Sequence, residues 1–434
     1  MSILGAMTTA ITGLSAQSTA FSNIGDNVAN SQTTGYKGVD TTFGNYLSTS
    51  TLVTNGSDAV VARPEYTNAV QGVVSQSSNP LDLAIAGQGF LPVSMPTGEA
   101  KGLPTFNQQQ LYTREGDFKL DQNGYMVNST GHFLSGWPVA ADGTVDATKL
   151  VPLQVGQSGY APVKTSTASL AANLPATPSS TAPVTTEMPV IDAQGTQQNL
   201  ELTWTKSTSA QNTWSLSIAQ KGSSKALGSV DVAFGAAGSA SAPEGTIGAV
   251  TATGGTVAGS TFTAGQQATV GLTADFGLGP QPITVNLGTF GGTDGVTQFA
   301  GTSYNLVSLS QNGVPPGSFS GVTMQSNGNV VVNYDNGSSR TLAKVPVVTF
   351  SNPDALQPQN GQAFLVSKES GTARVNQAGS NGAGTLVVSS LEASNVDIAR
   401  EFTKLIVAQR AYSANTKMVT TADELLQQTI DMKR

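Results

Sequence analysis

Several things are scarce in this chain of 434 residues. It has no cysteine, which rules out disulfides and thiolate metal sites. It has one histidine, His132, so a histidine-based metal cluster or a Ser-His-Asp triad would have to rest on that residue alone. His132 sits in NSTGHFLSGW, a turn followed by a strand-like run, and reads as a solvated or hydrogen-bonded loop residue. Charge is also scarce. Only 11% of residues are charged and the net charge is −7, against roughly a quarter charged in ordinary soluble domains. There is no basic footprint for nucleic acid or for an anionic membrane surface. No spacing of carboxylates, serines or lysines forms a catalytic constellation. The sequence therefore predicts no catalytic, cofactor or metal site.

The first thirty residues lack two further signals. No Lys or Arg precedes Lys37, so the basic start of a secretory signal is missing. Thr8, Thr9, Thr12, Ser15, Gln17, Ser18 and Thr19 interrupt every window long enough to span a membrane. No membrane insertion is expected.

What the ends do contain is a seven-residue period. Leu4, Ile11, Ser18 and Gly25 share one position, and Met7, Leu14, Phe21 and Val28 share its partner. A helix here would be about 40 Å long. At the other end Leu391, Ile398, Leu405, Tyr412, Val419 and Leu426 lie seven apart, with Phe402 and Ile430 on the companion position. Val396, Ile406, Met418 and Leu425 widen that stripe, and a helix with more than one apolar face touches more than one neighbour. The N-terminal helix is weak by itself. Gly5, Gly13 and Gly25 each cost roughly 1 kcal/mol against Ala, and four threonines add to this. It should form only when packed against the C-terminal helix and other copies, because isolated segments of this kind do not hold a helix in water. Two such ends around a globular middle are a plan for a polymer. An ordinary intramolecular hairpin would leave the wide C-terminal stripe exposed.

Between the ends the period changes to that of strands. AIAGQGFLPV (84–93), YTREGDFKLDQNGYMVNSTGHFLSGW (112–137), GVTMQSNGNVVVNYDNG (321–337) and VPVVTF (345–350) read as strands, with Asn-Gly turns at 123–124, 327–328 and 336–337. From 157 to 308 the composition drifts to Thr, Ser, Ala and Gly. LELTWT (200–205) and TWSLSI (213–218) alternate as one hairpin there. The stretch is expected to be a separate all-β domain inserted into the first. Its 236–268 part reads as a surface excursion or a disordered segment.

Four stretches resemble the flagellar axial proteins, the family that builds rod, hook and filament junctions. They are ITGLSAQSTAFSNIGDNVANSQTTGYK (11–37), NPLDLAIAGQGFL (79–91), YTREGDFKLDQNGYMVNSTGHFLSGW (112–137) and LEASNVDIAREFTKLIVAQRAYSANTKMVTTADELLQ (391–427). The large insert, Glu401-Phe402 after SNVD, and Thr297-Gln298-Phe299-Ala300 resemble the hook branch of that family. Leu91 departs from the usual repeated Phe. The resemblance implies an α+β multidomain fold, with terminal coiled-coil helices and two nested all-β domains. Helices over 1–30 and 391–434 would form the core. A linker region at 31–70 and 369–390 would join them to an inner β domain at 71–156 and 309–368, which carries the outer domain at 157–308. It implies a self-polymerising tube subunit that transmits torque as a bending joint. Expected partners are its own copies, distal rod and hook-filament junction proteins, the hook cap and the type III export apparatus, which would export the chain unfolded and with its N-terminus uncleaved. The expected location is extracellular, in the flagellum next to the basal body. The expected interface residues are Leu4, Met7, Ile11, Leu14, Phe21, Leu391, Ile398, Phe402, Leu405, Tyr412, Val419 and Leu426. The polar family positions Asn27, Asn30, Gln409, Arg410 and Asn415 would hydrogen-bond between helices. A distal rod or hook-associated protein, a secreted β-rich adhesin or carbohydrate-binding module, and a polysaccharide-cleaving enzyme are the competing readings.

Overall fold

A computed structural model describes residues 3–50, 55–140, 142–156, 159–223 and 226–432. The described chain is mostly β, with one long helix near each end: α1, Ile3–Ala29, and α2, Ile398–Asp431. Residues 1–2, 51–54, 141, 157–158, 224–225 and 433–434 of the expected domains lie outside the described residues. Two compact units account for the rest. One is drawn from Met1–Gln157, Gly321–Asn333 and Ser339–Arg434, the other from Ser158–Ser320 and Tyr334–Ser338.

In the first unit α1 leads into a long antiparallel ribbon of β1, Val39–Ser50, and β2, Asn55–Tyr66, paired from Val39↔Tyr66 to Ser50↔Asn55 with the register shifting on either side of Leu47. Residues 31–70 are thus largely a hairpin rather than a simple linker. Nor are 369–390 a linker. Arg374–Asn376 pairs with Val347–Thr349, and Thr385–Val388 pairs with Leu83–Ala86, so both belong to the inner β domain's own sheets. The main sheet of this unit runs through Phe133–Pro138, Leu91–Ser94, Leu111–Thr113 and Ala363–Leu365 to an edge at Gln357–Gln359. Under it Phe90, Tyr112, Phe350 and Phe364 pack edge to face, with ring centroids 5.0–5.8 Å apart. The expected separation into helical core, linker and inner domain is not seen in the single chain: all three belong to one unit.

α2 starts later than the heptad suggests. Asp397 caps it, its carboxylate accepting from Ala399 N and Arg400 N. Leu391 lies instead in the strand Ser390–Glu392, paired with β3, Val74–Gln76. An Asx cap competes strongly with one more helical turn, and a spacing of seven does not register where a cap falls.

The second unit is two five-stranded sheets around one apolar core. The predicted hairpin pairs in the register its alternation requires, with Leu202↔Ile218 and Trp204↔Leu216. All four side chains are fully buried. Its boundary lies beyond 308, because the strand Asn305–Gln311 pairs with Thr167–Asn173 inside this unit. The 236–268 stretch is not an excursion throughout. Ile247–Gly255 is a strand paired with Ala226–Phe234, and Ile247 and Val250 are buried. Glycine and threonine hid the two anchoring side chains.

Leu216 is packed in the middle of this core, so Leu216→Ala should lose about 2–5 kcal/mol of stability. Urea denaturation of the full chain, followed by tryptophan fluorescence from Trp204 and Trp214, would show it as a lower midpoint of the transition those residues report.

Candidate subunit interface

α1 and α2 run antiparallel. Asn415 sits against Gly13, Tyr412 against Phe21 and Glu401 against Asn27. The side of α1 that is buried within the chain is not the predicted heptad. It is a stripe of small residues, Ala10, Gly13, Ala16 and Ala20, ending in Ile24 and Asn27. On α2 the buried residues are Glu401, Ala408 and Ala422. Approach is close: a Cβ added at Gly13 would lie 2.9 Å from Asn415 Nδ2. The atom met is the end of the Asn415 side chain, so Gly13 lets the two helices approach with that amide in place.

The heptad residues flank this contact. Met7, Leu14 and Phe21 are half-buried, and Ile11 is 48% exposed. Leu4 lies in α1, with its side chain outside the described residues. On α2 Leu405, Val419 and Leu426 are half-buried, while Ile398, Phe402 and Tyr412 are exposed. Tyr412 still meets Phe21 edge-on, with centroids 6.2 Å apart. Ile406, Val407, Met418 and Leu425 are exposed too. By helical geometry, Ile398 and Phe402 lie on one flank of the buried stripe and Val407, Met418 and Leu425 on the other.

The polar positions divide. Asn27 uses its whole amide. Its Nδ2 donates to Val39 O and, across to α2, to Glu401 Oε2 at 3.1 Å, while its Oδ1 accepts from Val39 N and Tyr36 OH. Glu401 Oε1 in turn accepts from Lys404, which also reaches both oxygens of Asp40 on β1. Burial, with the nearby carboxylates of Asp26 and Glu401, pushes the Tyr36 phenol up to about 12, so it remains a donor. Asn30 does not bridge the helices: it bonds Asp26 O and Thr33 Oγ1, closing the end of α1 locally. Gln409 and Arg410 are exposed and Asn415 half-buried, without a side-chain hydrogen bond to the described residues of the single chain.

Behind this pair of helices lies a junction that the sequence reading passed over. Glu392 is fully buried. Its Oε1 accepts from Lys37 Nζ at 2.5 Å and from Gly72 N at 2.8 Å, and its Oε2 accepts from Arg114 at 2.8 Å. Lys37 also donates to Val70 O, and Arg114 to Ile85 O and Gly87 O. Burial lowers the Lys37 pKa, Glu392 opposes that shift, and the Arg114 charge adds to it. Gly72 is required by the close approach here: a Cβ would lie 1.9 Å from Ala393 O. Asn395, in the irregular segment between that strand and α2, adds to the junction: its Oδ1 accepts from Gly38 N and its Nδ2 donates to Thr67 O and Val70 O. The segment that follows α1 and the segment that precedes α2 are thus tied to the β body at one buried carboxylate. The only signal in the sequence was that GYK, YTREG and LEASN each carry a charge in a chain that has few.

His132 is buried rather than solvated. Its Nδ1 meets Thr130 Oγ1, which donates to Glu115, and burial lowers its pKa. Among the described residues no group of three or more His, Asp or Glu is placed to hold a metal ion. No described helix is long and apolar enough to cross a membrane.

Family profiles match along the chain: a flagella basal body rod protein at 7–37, the flagellar hook protein FlgE/F/G D1 domain at 84–163, the flagellar basal body protein FlaE D2 domain at 161–314, and the flagellar basal body rod FlgEFG protein C-terminal region at 388–432. The flagellar hook protein FlgE of Brucella abortus is 32% identical over 447 residues, covering all of both chains. The chain belongs to the flagellar hook protein family. The hook protein of Salmonella typhimurium is 27% identical over 431 residues, covering 98% of this chain and 99% of that one. The solved structure of Helicobacter pylori flagellar hook protein FlgE2 aligns with 74% of this chain and all of its own, at 15% identity and a TM-score of 0.48. As a hook protein the chain is a structural subunit of the flagellum, outside the cell and adjoining the basal body.

Glu392→Gln leaves Lys37 and Arg114 buried against a neutral amide. It should cost about 3–5 kcal/mol, as removal of one partner from a buried ion pair does. Lys37→Met leaves the Arg114–Glu392 pair intact and should cost less. Because folding lowers the Lys37 pKa, its contribution is fully present above the unfolded value of 10.5 and is lost as pH falls through the folded value. Wild-type stability should therefore rise relative to Lys37→Met as pH increases from 7 toward 10.5. Thermal denaturation across that range checks both the ranking and the slope.

Proposed function

We propose that this hook protein polymerises through its terminal helices into a helical tube, with the heptad residues Met7, Ile11, Leu14, Phe21, Ile398, Phe402, Leu405, Tyr412, Val419 and Leu426 packing between subunits as coiled-coil seams. The observation that carries the reading is the pair of exposed apolar flanks on α2, left over after its small-residue face has been used on α1. Each such side chain contributes roughly 1.5–3 kcal/mol when a neighbour buries it. A contact that is heterologous and does not close generates a tube. Gln409, Arg410 and Asn415 supply the polar contacts of that packing.

In this reading the ends order fully only in the assembly, which suits export of an unfolded chain by the flagellar type III apparatus. The tube bends while transmitting torque, its helical wall holding as the inserted β domains meet their counterparts through weak, exchangeable contacts. Distal rod proteins and hook-filament junction proteins are the partners at its two ends, and the hook cap is the partner at the growing one. The nested arrangement, with the insert as the outer domain, belongs to the same proposal.

The double variant Phe402→Glu, Val407→Glu places charge on both flanks and leaves the buried stripe alone. Electron microscopy should show tubes from the wild type and none from the variant, which should keep the monomer's circular dichroism and its Glu392-dependent stability. Tubes from the variant at wild-type yield would overturn the reading.

A further inference from the structure

The helix pair has a hole on one side and a knob on the other. The hole is a groove of about 320 Å³ between α1, β1 and α2, whose apolar lining is Ala20, Ile24, Val39, Phe43, Val407 and Ala408. Ala20, Ile24 and Ala408 are its buried part, while Phe43 and Val407 are 48% and 62% exposed. A cavity of roughly 150 Å³ admits a benzene ring. This groove therefore has room for a large aromatic side chain and a second apolar one.

The charges that line the groove are already matched. Lys404 Nζ donates to both carboxylate oxygens of Asp40 at 2.8 Å. An uncharged occupant leaves that pair undisturbed, and the opposite flank of α2 offers one. Ile398 and Phe402 are 42% and 52% exposed there. The positions that follow them on that flank at helical spacing are Leu405, Gln409, Tyr412 and Thr416, none of them charged. An aromatic side chain seated in a pocket is the kind of contact that dominates an interface.

We infer, resting on the tube proposed above, that the Ile398–Phe402 flank of one copy seats in the α1–β1–α2 groove of the next, with Phe402 against Phe43 and Val407. Knob and groove lie on opposite flanks of α2 by helical geometry, so one pair of copies cannot exchange both. The contact is thus heterologous. It leaves a free groove on one copy and a free knob on the other, and each takes a further subunit. A two-fold pairing of like flanks would instead close at a dimer.

Site-specific crosslinking tests this, because a chain without cysteine carries only the thiol that is introduced. Full-length Phe402→Cys chains grown in heavy nitrogen and light Val407→Cys chains are assembled together as minorities among wild-type chains, and a short bis-maleimide is added. With one thiol per chain, every link joins two copies. The expected result, read by mass spectrometry, is a link between position 402 of a heavy chain and position 407 of a light one in tubes, and its loss in unassembled protein. Tubes in which only like positions are linked, or in which none are, would overturn the contact and leave polymerisation through the helices standing. Absence of tubes from wild-type chains would overturn both the contact and the tube.

Discussion

Both helices of the first unit leave its β body at one buried carboxylate. Glu392 is held by a lysine that follows α1, an arginine on the β body and the backbone of Gly72, and it precedes α2 by six residues. Taking three charges out of water costs several kcal/mol per ion, and the cost is recovered only when every donor is placed. That makes the junction intolerant of partial assembly. A greasy contact between the same segments would allow sliding. A carboxylate that needs Lys37 and Arg114 together fixes where both helices leave the β body. In a chain with so little charge overall, three of its ionic groups are committed to this point.

Asn27 and Glu401 repeat the logic one layer out. Asn27 is satisfied by β1, Tyr36 and α2 at once, so the end of α1 and the start of α2 are aligned by hydrogen bonds. Beyond them the contact is mostly between small side chains, with Phe21 and Tyr412 meeting edge-on beside them. The result is a gradient along the helices. Their junction end is defined by polar groups with strict geometry. Their far end relies on Ala10, Gly13 and Ala422, which permit closeness without supplying much of the apolar area that stabilises it.

The sequence showed the helices, the hairpin at 200–218 and the interruption by a second β unit, because these follow from periodicity and turn chemistry, which are local. It did not show which face of α1 turns inward. Large side chains dominate a hydrophobic pattern, yet here alanine and glycine are the buried ones, and their signal is the lack of volume rather than hydrophobicity. It also placed Leu391 on a helix, since a strand of three residues can fall on a helical spacing by chance. The Lys37–Glu392 pair was illegible for a different reason: its partners are separated by 355 residues, and nothing local to either names the other.

The two kinds of residue on these helices explain one another. Had α1 and α2 used their large apolar residues on each other, the single chain would be more stable and would have nothing left to offer. By meeting through Gly13, Ala16, Ala20 and Ala408, they leave Ile11, Phe402, Val407 and Met418 facing outward. The glycine and threonine content of α1 then acts as a constraint on timing. On propensity alone this helix is weak away from the junction, and in the proposed assembly the outward residues would add the partners it lacks. In the proposed tube, stability withheld from the monomer would become available at the contact with other copies, and ordering of the ends and growth of the tube would be one equilibrium.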